Sequence, residues 1–548
     1  MSKKEIKTFL LDGYLDEPSA LGVPPYISPH IRYVYGALLA SGIPEDYINY
    51  KTIDDFRNNW DENIEEIESY DLFIIIAGTT VPGHYLGGRP ISLAEIKKLG
   101  NKVYYPTKVL GGPITLIKDE MPGFDILTRE TAALDIYSRL EDIDINKLRQ
   151  SAADYISNWA KTGAKLTKLH PSYPNIVCEL ETFRGCPRQK HCAFCSERLK
   201  KVHYWRKPQQ IIDEVKSLSQ VGNHYYRLGC QTDILSYAAD ENNILKPELM
   251  EELYSGIRKA DPDLKVLHLD NINPATLVKQ KEAAKKILEI ITKYNTEGDT
   301  AAFGLESADP YVLKKNNIEA NTEIALEAIR ILNEIGGKRV NGIPKLLPGI
   351  NFLHGLIGER KETFDYNFQF LKQVYDEGMM LRRINIRQVV QIDNYPVEDV
   401  DKGRFKEYKK RINEEINKPM LKRVFPTGTL LKDVRIEKIE GKISYGRQLG
   451  TYPILVAVPG QLNIDDFYNV KIIDHGYRSI TGLPWPIEIS DLSADQLSFI
   501  PGIGKKRASK IFLEEPSSLK GVLSLLENEE TKQLLKQIFN TEGQDQQH

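Results

Sequence analysis

The sequence predicts an α/β fold made of a Rossmann-like N-terminal layer, a partial (β/α) barrel, a small β-barrel and a C-terminal helical hairpin. Apolar runs that end in Gly or Thr alternate with helix-like stretches up to about residue 400, as buried parallel strands alternate with crossover helices. After residue 424, short alternating strands separated by Gly and Pro replace this pattern, and helices follow them. The chain has 548 residues, which is long enough for several hydrophobic cores.

Residues 1–165 form the predicted Rossmann-like layer. Its strand-like segments are KTFLLDG, DLFIIIAGTT and KVYYPTKVLGG, and a helix-like stretch begins near Ser28. Two loops rich in Pro and Gly, at residues 16–29 and 79–90, follow predicted strands. Such loops line binding sites or pack against a neighbouring element, and the sequence leaves both roles open.

Residues 174–400 form the predicted barrel. Its strand-like segments include NIVCELETF, HYYRLGC, KVLHLD and TAAFGLES, and amphipathic helices separate them. The active site of a parallel barrel lies at the carboxyl ends of its strands, so we expect the functional side chains there.

The last two predicted segments are a small antiparallel β-barrel at residues 424–488 and a helical tail at residues 490–548.

The overall charge gives no field that would attract nucleic acid, because 73 basic side chains face 76 acidic ones and the net charge is -3. Any such binding has to come from a local patch. The sequence has no apolar run of eighteen residues and no signal-peptide pattern near its start. We therefore expect a cytoplasmic protein without a membrane partner.

Three of the five cysteines, Cys186, Cys192 and Cys195, lie within ten residues of each other in GCPRQKHCAFCSE. A loop this short can direct three thiolates at one centre, as iron–sulfur clusters and zinc sites both require. His191 would be a fourth ligand for zinc, whereas the position after the first barrel strand favours a cofactor at an active site. The other two cysteines, Cys178 and Cys230, are predicted to be buried in or beside strands.

This cysteine motif resembles that of the radical S-adenosylmethionine (SAM) superfamily. Phe194 matches the aromatic residue before the last cysteine, whereas five residues stand between the first two cysteines instead of three. The resemblance implies a 4Fe-4S cluster held by the three cysteines, with its open iron binding SAM, and an electron donor of unknown identity. It also implies that Arg227, Gln231, Asp233 and Glu306 lie near SAM. Ion pairing or helix capping would explain the charged residues equally well.

Polar residues are dense at other predicted strand ends, and we expect them to form a substrate-facing wall. The candidates are His268, Asp270, His354, Arg383, Asn385 and Arg387. Alternating Arg and Asn on a buried strand is costly unless the charges are paired. The alternative is therefore a structural ion-pair network.

A Rossmann-like layer before such a barrel resembles the cobalamin-binding class of the superfamily. The Asp-x-His-x-x-Gly signature of a cobalt-ligating histidine is absent, and neither His30 nor His84 has its spacing. Cobalamin is therefore an option that no His motif supports.

The segment SFIPGIGKKRASKIF resembles a helix-hairpin-helix motif, in which Gly502, Gly504, Lys505 and Lys506 would bind a nucleic-acid phosphate. The preceding barrel is distantly similar to a TRAM domain, an RNA-binding module. Methylthiotransferases that carry TRAM have additional cluster cysteines, which this chain lacks. Nearly the whole chain resembles a group of uncharacterised radical SAM proteins with a C-terminal helix-hairpin-helix motif.

The leading expectation is a radical SAM enzyme that modifies a substrate presented by nucleic acid, plausibly tRNA. Two alternatives stay open. In the first, the same radical chemistry acts on a small molecule, a lipid or a protein. In the second, the chain is a non-catalytic, zinc-stabilised nucleic-acid-binding protein.

Overall fold

The computed structural model describes residues 5–17, 20–78, 86–117, 120–128, 131–200, 202–514, 516 and 518–539. It confirms the predicted fold class, because the chain combines parallel sheets, a closed five-stranded β-barrel and helices. The predicted domain boundaries stay predictions. None of the described helices has both the length and the apolar content needed to cross a lipid bilayer.

The N-terminal layer is built on a parallel sheet. Its strands, with three short ones that lie outside the sheet, are β1 (Thr8–Asp12), β2 (Asp16–Glu17), β3 (Ala20–Leu21), β4 (Tyr26–Ile27), β5 (Ile48–Thr52), β6 (Leu72–Ile76), β7 (Thr107–Gly111) and β8 (Ile126–Leu127). Its helices are α1 (Pro29–Ala40), α2 (Ile53–Asn58), α3 (Trp60–Ile67), α4 (Leu93–Lys102), α5 (Ile114–Ile117), α6 (Ala132–Glu141), α7 (Ile145–Gln150) and α8 (Ala152–Gly163). The sheet order β5-β1-β6-β7-β8 is that of a doubly wound fold, with apolar cores on both faces.

The central region forms an open parallel barrel. Its strands, with short antiparallel pairs beside them, are β9 (Val177–Glu181), β10 (Phe183–Arg184), β11 (Tyr204–Trp205), β12 (Tyr225–Gly229), β13 (Val266–Leu269), β14 (Asp299–Glu306), β15 (Arg339–Val340), β16 (Ile343–Pro344), β17 (Leu346–His354) and β18 (Arg383–Gln388). Two parallel sheets, β13-β12-β9-β4 and β14-β17-β18, meet at a parallel bridge between Asn271 and Ala302. The edge strand β4 comes from the predicted loop at residues 16–29, so part of that loop extends the barrel sheet.

Helices cover the outside of the barrel. They are α9 (Pro208–Gln220), α10 (Ile234–Tyr237), α11 (Pro247–Ala260), α12 (Pro274–Lys279), α13 (Lys281–Tyr294), α14 (Pro310–Lys315), α15 (Thr322–Gly336), α16 (Lys361–Asp376), α17 (Lys402–Ile412) and α18 (Lys418–Val424). One continuous apolar core joins this barrel to the N-terminal layer. The two parts therefore pack as one body.

The second, closed barrel has the strands β19 (Leu430–Glu440), β20 (Ile443–Gln448), β21 (Leu455–Pro459), β22 (Phe467–His475) and β23 (Ser479–Pro484). Its order β19-β20-β21-β23-β22, with β21 and β23 parallel, is the strand order of an OB fold. The tail consists of α19 (Ala494–Ser498), α20 (Lys505–Glu514), α21 (Leu519–Ser524) and α22 (Glu529–Phe539). These helices pack on Ile473 and Leu483 of the closed barrel.

The closed barrel packs against the amino-terminal end of the open barrel. Leu449 and Phe467 pack in one apolar cluster with Val177 and Tyr225, which are the first residues of β9 and β12. The loop between β20 and β21 enters the open barrel from this end, where the Thr451 amide donates to His268 Nδ1 at 2.8 Å. This loop therefore forms the floor of the open barrel.

Candidate active site

A cavity of about 980 Å³ opens at the carboxyl ends of the open-barrel strands. The three clustered cysteines line it, together with Phe194 and with polar residues of β14, β17 and β18. Pro113 of the N-terminal layer, which follows β7, lines the same cavity. The fold thus directs the strand ends of both layers towards one space, as expected for a parallel-barrel active site.

The cysteine loop is fixed by polar contacts that the sequence did not predict. Arg188 donates to Cys192 Sγ at 3.0 Å and pairs with Glu319 at 3.1 Å. The Ala193 amide donates to the Asn316 carbonyl oxygen, which fastens the loop to the end of α14. Arg188 lies within the cysteine motif. Its positive charge beside the thiols is therefore the sequence feature from which this contact could have been predicted.

Burial raises the pKa of Cys186, Cys192 and Cys195. The thiols are close enough to affect each other, because Cys186 and Cys192 both raise the pKa of Cys195 further. Within the described residues, no three His, Cys, Asp or Glu side chains converge tightly enough to hold a single metal ion. His191 Nε2 lies 3.4 Å from the Cys186 carbonyl oxygen.

Glu306 lies at the end of β14 and lines the cavity. A bulge in the pairing of β14 with β17 lies between Gly304 and Glu306, whose φ of +62° is in the left-handed region. A non-glycine residue in this conformation is rare and is characteristic of functional sites. Burial raises the pKa of the Glu306 carboxyl to about 8, while Arg387 opposes the shift.

The other predicted SAM-facing residues occupy different environments. Arg227 is fully buried and forms ion pairs with Glu179 and Asp270. Gln231 is also buried, and its amide donates to the Leu228 carbonyl at 3.0 Å. Asp233 lines the cavity, but its carboxylate caps α10 and accepts from the Asn273 amide at 3.0 Å.

Two of the predicted wall residues, Asn385 and Arg387, line the cavity. Arg383 lies two positions before Asn385 on β18, and its guanidinium carbon is 4.2 Å from the centre of the Tyr452 ring. Asn351 on β17 lines the cavity as well, 3.3 Å from the Asn385 amide. Neither Asn351 nor Tyr452 was predicted. The alternation of side chains along β17 could have predicted that Asn351 faces the cavity. No local sequence pattern predicts that Tyr452 lies there.

The remaining wall candidates do not line the cavity. His268 contacts the floor loop, and burial lowers the pKa of its imidazole to about 3. Asp270 accepts from the Tyr452 hydroxyl at 3.0 Å and pairs with Arg227. His354 is fully buried, stacks on Phe364 and lies 2.8 Å from Glu359. These contacts match the alternative of a structural network.

Of the candidate nucleic-acid residues, Gly502 and Gly504 lie between α19 and α20, and Lys505 and Lys506 begin α20. Gly502 has a left-handed φ of +86°, and its carbonyl accepts from Arg507 at 2.9 Å. Gly504, Lys505 and Lys506 are exposed. They lie on the tail and do not line the cavity.

His30, the histidine of the N-terminal layer that the structure describes, does not line the cavity. His30 is buried, with its ring nitrogen Nε2 3.2 Å from Arg184. His84, like most of the loop at residues 79–90, lies outside the described residues.

The fold and the thiol-lined cavity define a class of enzyme. The family model of the radical SAM superfamily matches residues 180–371, and the chain belongs to this superfamily as a radical SAM enzyme. An uncharacterised protein of Archaeoglobus fulgidus is 37% identical over 542 residues, which cover 97% of this chain and 99% of the relative. An uncharacterised protein of Methanocaldococcus jannaschii is 42% identical over 513 residues, covering 87% and 93% respectively. The chain belongs to the same family as these two proteins.

Among solved structures, the chain is similar to the radical SAM methyltransferase TsrM of Kitasatospora setae, solved with a tryptophan substrate and a SAM analogue. The TM-score is 0.49 at 13% identity, and 79% of each chain is covered.

Proposed function

We propose that this enzyme cleaves SAM reductively at a 4Fe-4S cluster held by Cys186, Cys192 and Cys195, and that the resulting radical modifies a substrate bound in the same cavity. One observation carries the proposal. The three thiols line a single cavity together with Glu306 and with polar residues of the last barrel strand.

The donor set fits the cluster better than a zinc ion. Three thiols on one loop share the cavity, while the described residues contain no group arranged around a single ion. A four-iron cluster spaces its thiolates more widely than one zinc ion does, and His191 has its Nε2 next to a backbone carbonyl. These features support the cluster over the zinc-stabilised alternative.

When bound, the cluster would supply one electron from an external donor to SAM, which breaks into methionine and a 5′-deoxyadenosyl radical. The side chains around it prepare the site. Arg188 donates to Cys192 Sγ, so it would stabilise the thiolate that a metal requires. Phe194 and Leu353 contribute apolar walls that limit the access of water to a reactive radical.

The test is anaerobic reconstitution with iron and sulfide, followed by dithionite, SAM and measurement of 5′-deoxyadenosine. About four irons per chain are expected. Cys186→Ala, Cys192→Ala and Cys195→Ala should each lose the cluster absorption and the SAM cleavage. The matched control is Cys178→Ala, which changes a buried cysteine outside the cavity and should retain both. Zinc without iron in the wild type would overturn the proposal.

A second part of the proposal is that a nucleic acid, tRNA, presents the substrate. It is supported by the OB-type strand order of the closed barrel and by the exposed Lys505 and Lys506 at the start of α20. Lys505→Glu with Lys506→Glu should weaken tRNA binding and flatten its salt dependence. Lys409→Glu with Lys410→Glu, on an exposed face of α17, is the matched control. Equal tRNA binding by both double variants would argue for a small-molecule, lipid or protein substrate instead.

The proposal places the enzyme in the cytoplasm, where all five cysteine thiols would stay reduced. Cobalamin is kept as an option without a histidine ligand. The test is corrinoid retention by the purified protein.

A further inference from the structure

Two guanidinium groups lie on one face of the last barrel strand. Arg383 and Arg387 are separated by four positions on β18, so they point to the same side of the strand as Asn385 between them. Arg387 and Asn385 line the cavity. Arg383 lies directly beneath, against the ring of Tyr452 on the cavity floor. The strand therefore places one positive charge, that of Arg387, at the cavity wall and a second, that of Arg383, below it.

The closed barrel contributes a third guanidinium. Arg478 lies in the loop between β22 and β23, close enough to Arg383 and Arg387 to interact with both electrostatically. Arg478 is exposed to solvent and does not itself line the cavity. The group of arginines is thus assembled from two separate parts of the fold.

Among the residues that the structure describes, none of these three arginines forms a salt bridge, although Arg387 lies close enough to Glu306 to oppose the rise that burial causes in the pKa of that carboxyl. Arg227 differs from these three arginines, because its charge is compensated by both Glu179 and Asp270. Burial lowers the pKa of Arg383 to about 10, and Arg478 and Arg387 act in the same direction. Arg383 and Arg387 are partly buried, and a buried cation without a salt bridge is costly unless an anion joins it.

The neighbouring groups suit the recognition of oxygen atoms. Asn351 and Asn385 offer amide donors beside Arg387. The Tyr452 hydroxyl donates a hydrogen bond to Asp270 at 3.0 Å. This bond fixes the Tyr452 ring, against which Arg383 packs. Guanidinium groups bind carboxylate and phosphate oxygens in paired hydrogen bonds.

We propose that Arg383, Arg387 and Arg478 bind a carboxylate or phosphate group of the substrate, and that the closed barrel completes the substrate site. This inference rests on the proposed function, since it assigns the substrate class of the same cavity. It makes the substrate an organic anion and gives the closed barrel a direct role in substrate recognition.

The test is a calorimetric titration of the SAM-loaded holoenzyme with inorganic phosphate and, in a separate experiment, with acetate. One of the two anions should bind to the wild type. Arg387→Gln and Arg478→Gln should each weaken that binding about tenfold, the loss expected for one charge-assisted hydrogen bond. Stronger binding of phosphate assigns a phosphate ester, and stronger binding of acetate assigns a carboxylate. Arg404→Gln, at a partly exposed position on α17 that does not line the cavity, is the matched control.

Iron content and uncoupled 5′-deoxyadenosine formation are measured on the same samples. Anion binding lost in Arg387→Gln and in Arg478→Gln with iron content retained supports the inference. Equal binding by all variants, no binding by the wild type, or binding that occurs only without SAM would overturn it. If the wild type does not assemble a cluster, the proposed function fails, and the titration on the cluster-free protein still tests the arginines. Arg478 is exposed, so its variant remains informative if Arg387→Gln does not fold.

Discussion

Asp12 is a buried carboxyl at the end of β1 in the N-terminal layer. Its side chain accepts from the Tyr14 amide and from the Tyr50 hydroxyl, both at 3.0 Å. Burial raises the pKa of Asp12 from 3.8 to about 7, and these two hydrogen bonds oppose the shift only in part. The folded protein therefore binds this proton more tightly than the unfolded chain does.

The stabilisation that this proton provides is complete below about pH 3.8, falls as the pH rises and is lost above about pH 7. Asp12→Asn keeps an acceptor for the Tyr14 amide and carries no charge. We expect its apparent melting temperature to match the wild type near pH 4, to exceed it increasingly up to pH 7, and to keep a constant gain above that. Asp61→Asn, at a side chain that is 84% exposed, is the control. A gain that does not change with pH would contradict the assignment.

Alternation along a strand explains why some of the predicted wall residues line the cavity and others do not. Asn385 and Arg387 share one face of β18, so the alternating pattern in the sequence identified that face. His354 is adjacent to Leu353, and adjacent residues point to opposite sides of a strand. Leu353 lines the cavity, and His354 packs under Phe364. Both faces of β17 are buried, so composition alone did not reveal which one faces the cavity.

At the scale of elements, the loop between β20 and β21 closes the floor of the open barrel. Gly450 has a φ of +151°, and a Cβ atom there would lie 2.7 Å from the His268 ring. Thr451 also donates its hydroxyl to the Leu269 carbonyl at 3.0 Å. The loop therefore fits only with a glycine next to the imidazole.

Gly450→Ala should destabilise the protein by about 1–3 kcal/mol, the usual cost of overpacking a buried contact. The loop would shift away from His268, carrying Tyr452 with it, while the cysteine loop stays intact. We expect normal iron content together with a lower melting temperature and weaker anion binding. Gly441→Ala is the matched control, since its φ of +59° carries backbone strain but no atom lies within 4 Å of its Cβ. Equal effects of the two substitutions would show that the loop does not depend on this contact.

The order of strands and helices could be predicted because each element follows from a local pattern of apolar residues and turns. The position of the closed barrel could not, since His268 and Thr451 are 183 residues apart and neither carries a local signal of their contact. Arg227 illustrates the consequence. Its place on a barrel strand was predicted, but its ion pairs with Glu179 and Asp270, which hold it in the core, depend on the assembled barrel.

At the scale of the whole molecule, a buried ion triad joins the N-terminal layer to the open barrel. Glu214 on α9 binds Arg32 of α1 and Arg206, each at 2.6 Å, and all three side chains are fully buried. Arg206 also donates to Ser157 of α8 at 3.0 Å. The triad thus connects helices of both layers inside the shared apolar core.

Glu214→Gln leaves two buried guanidinium groups without a compensating charge. We expect a loss of about 3 kcal/mol, because breaking a buried pair exposes the surviving charge to a poorly solvating interior. Glu377→Gln removes the partner of Arg330, whose side chain is 48% exposed, and should cost less than about 1 kcal/mol. Thermal unfolding is monitored by circular dichroism and by tryptophan fluorescence. Since one core spans both layers, Glu214→Gln should unfold at lower temperature in a single transition. Separate transitions for the two layers, or a shift no larger than that of Glu377→Gln, would show that the triad does not hold them together.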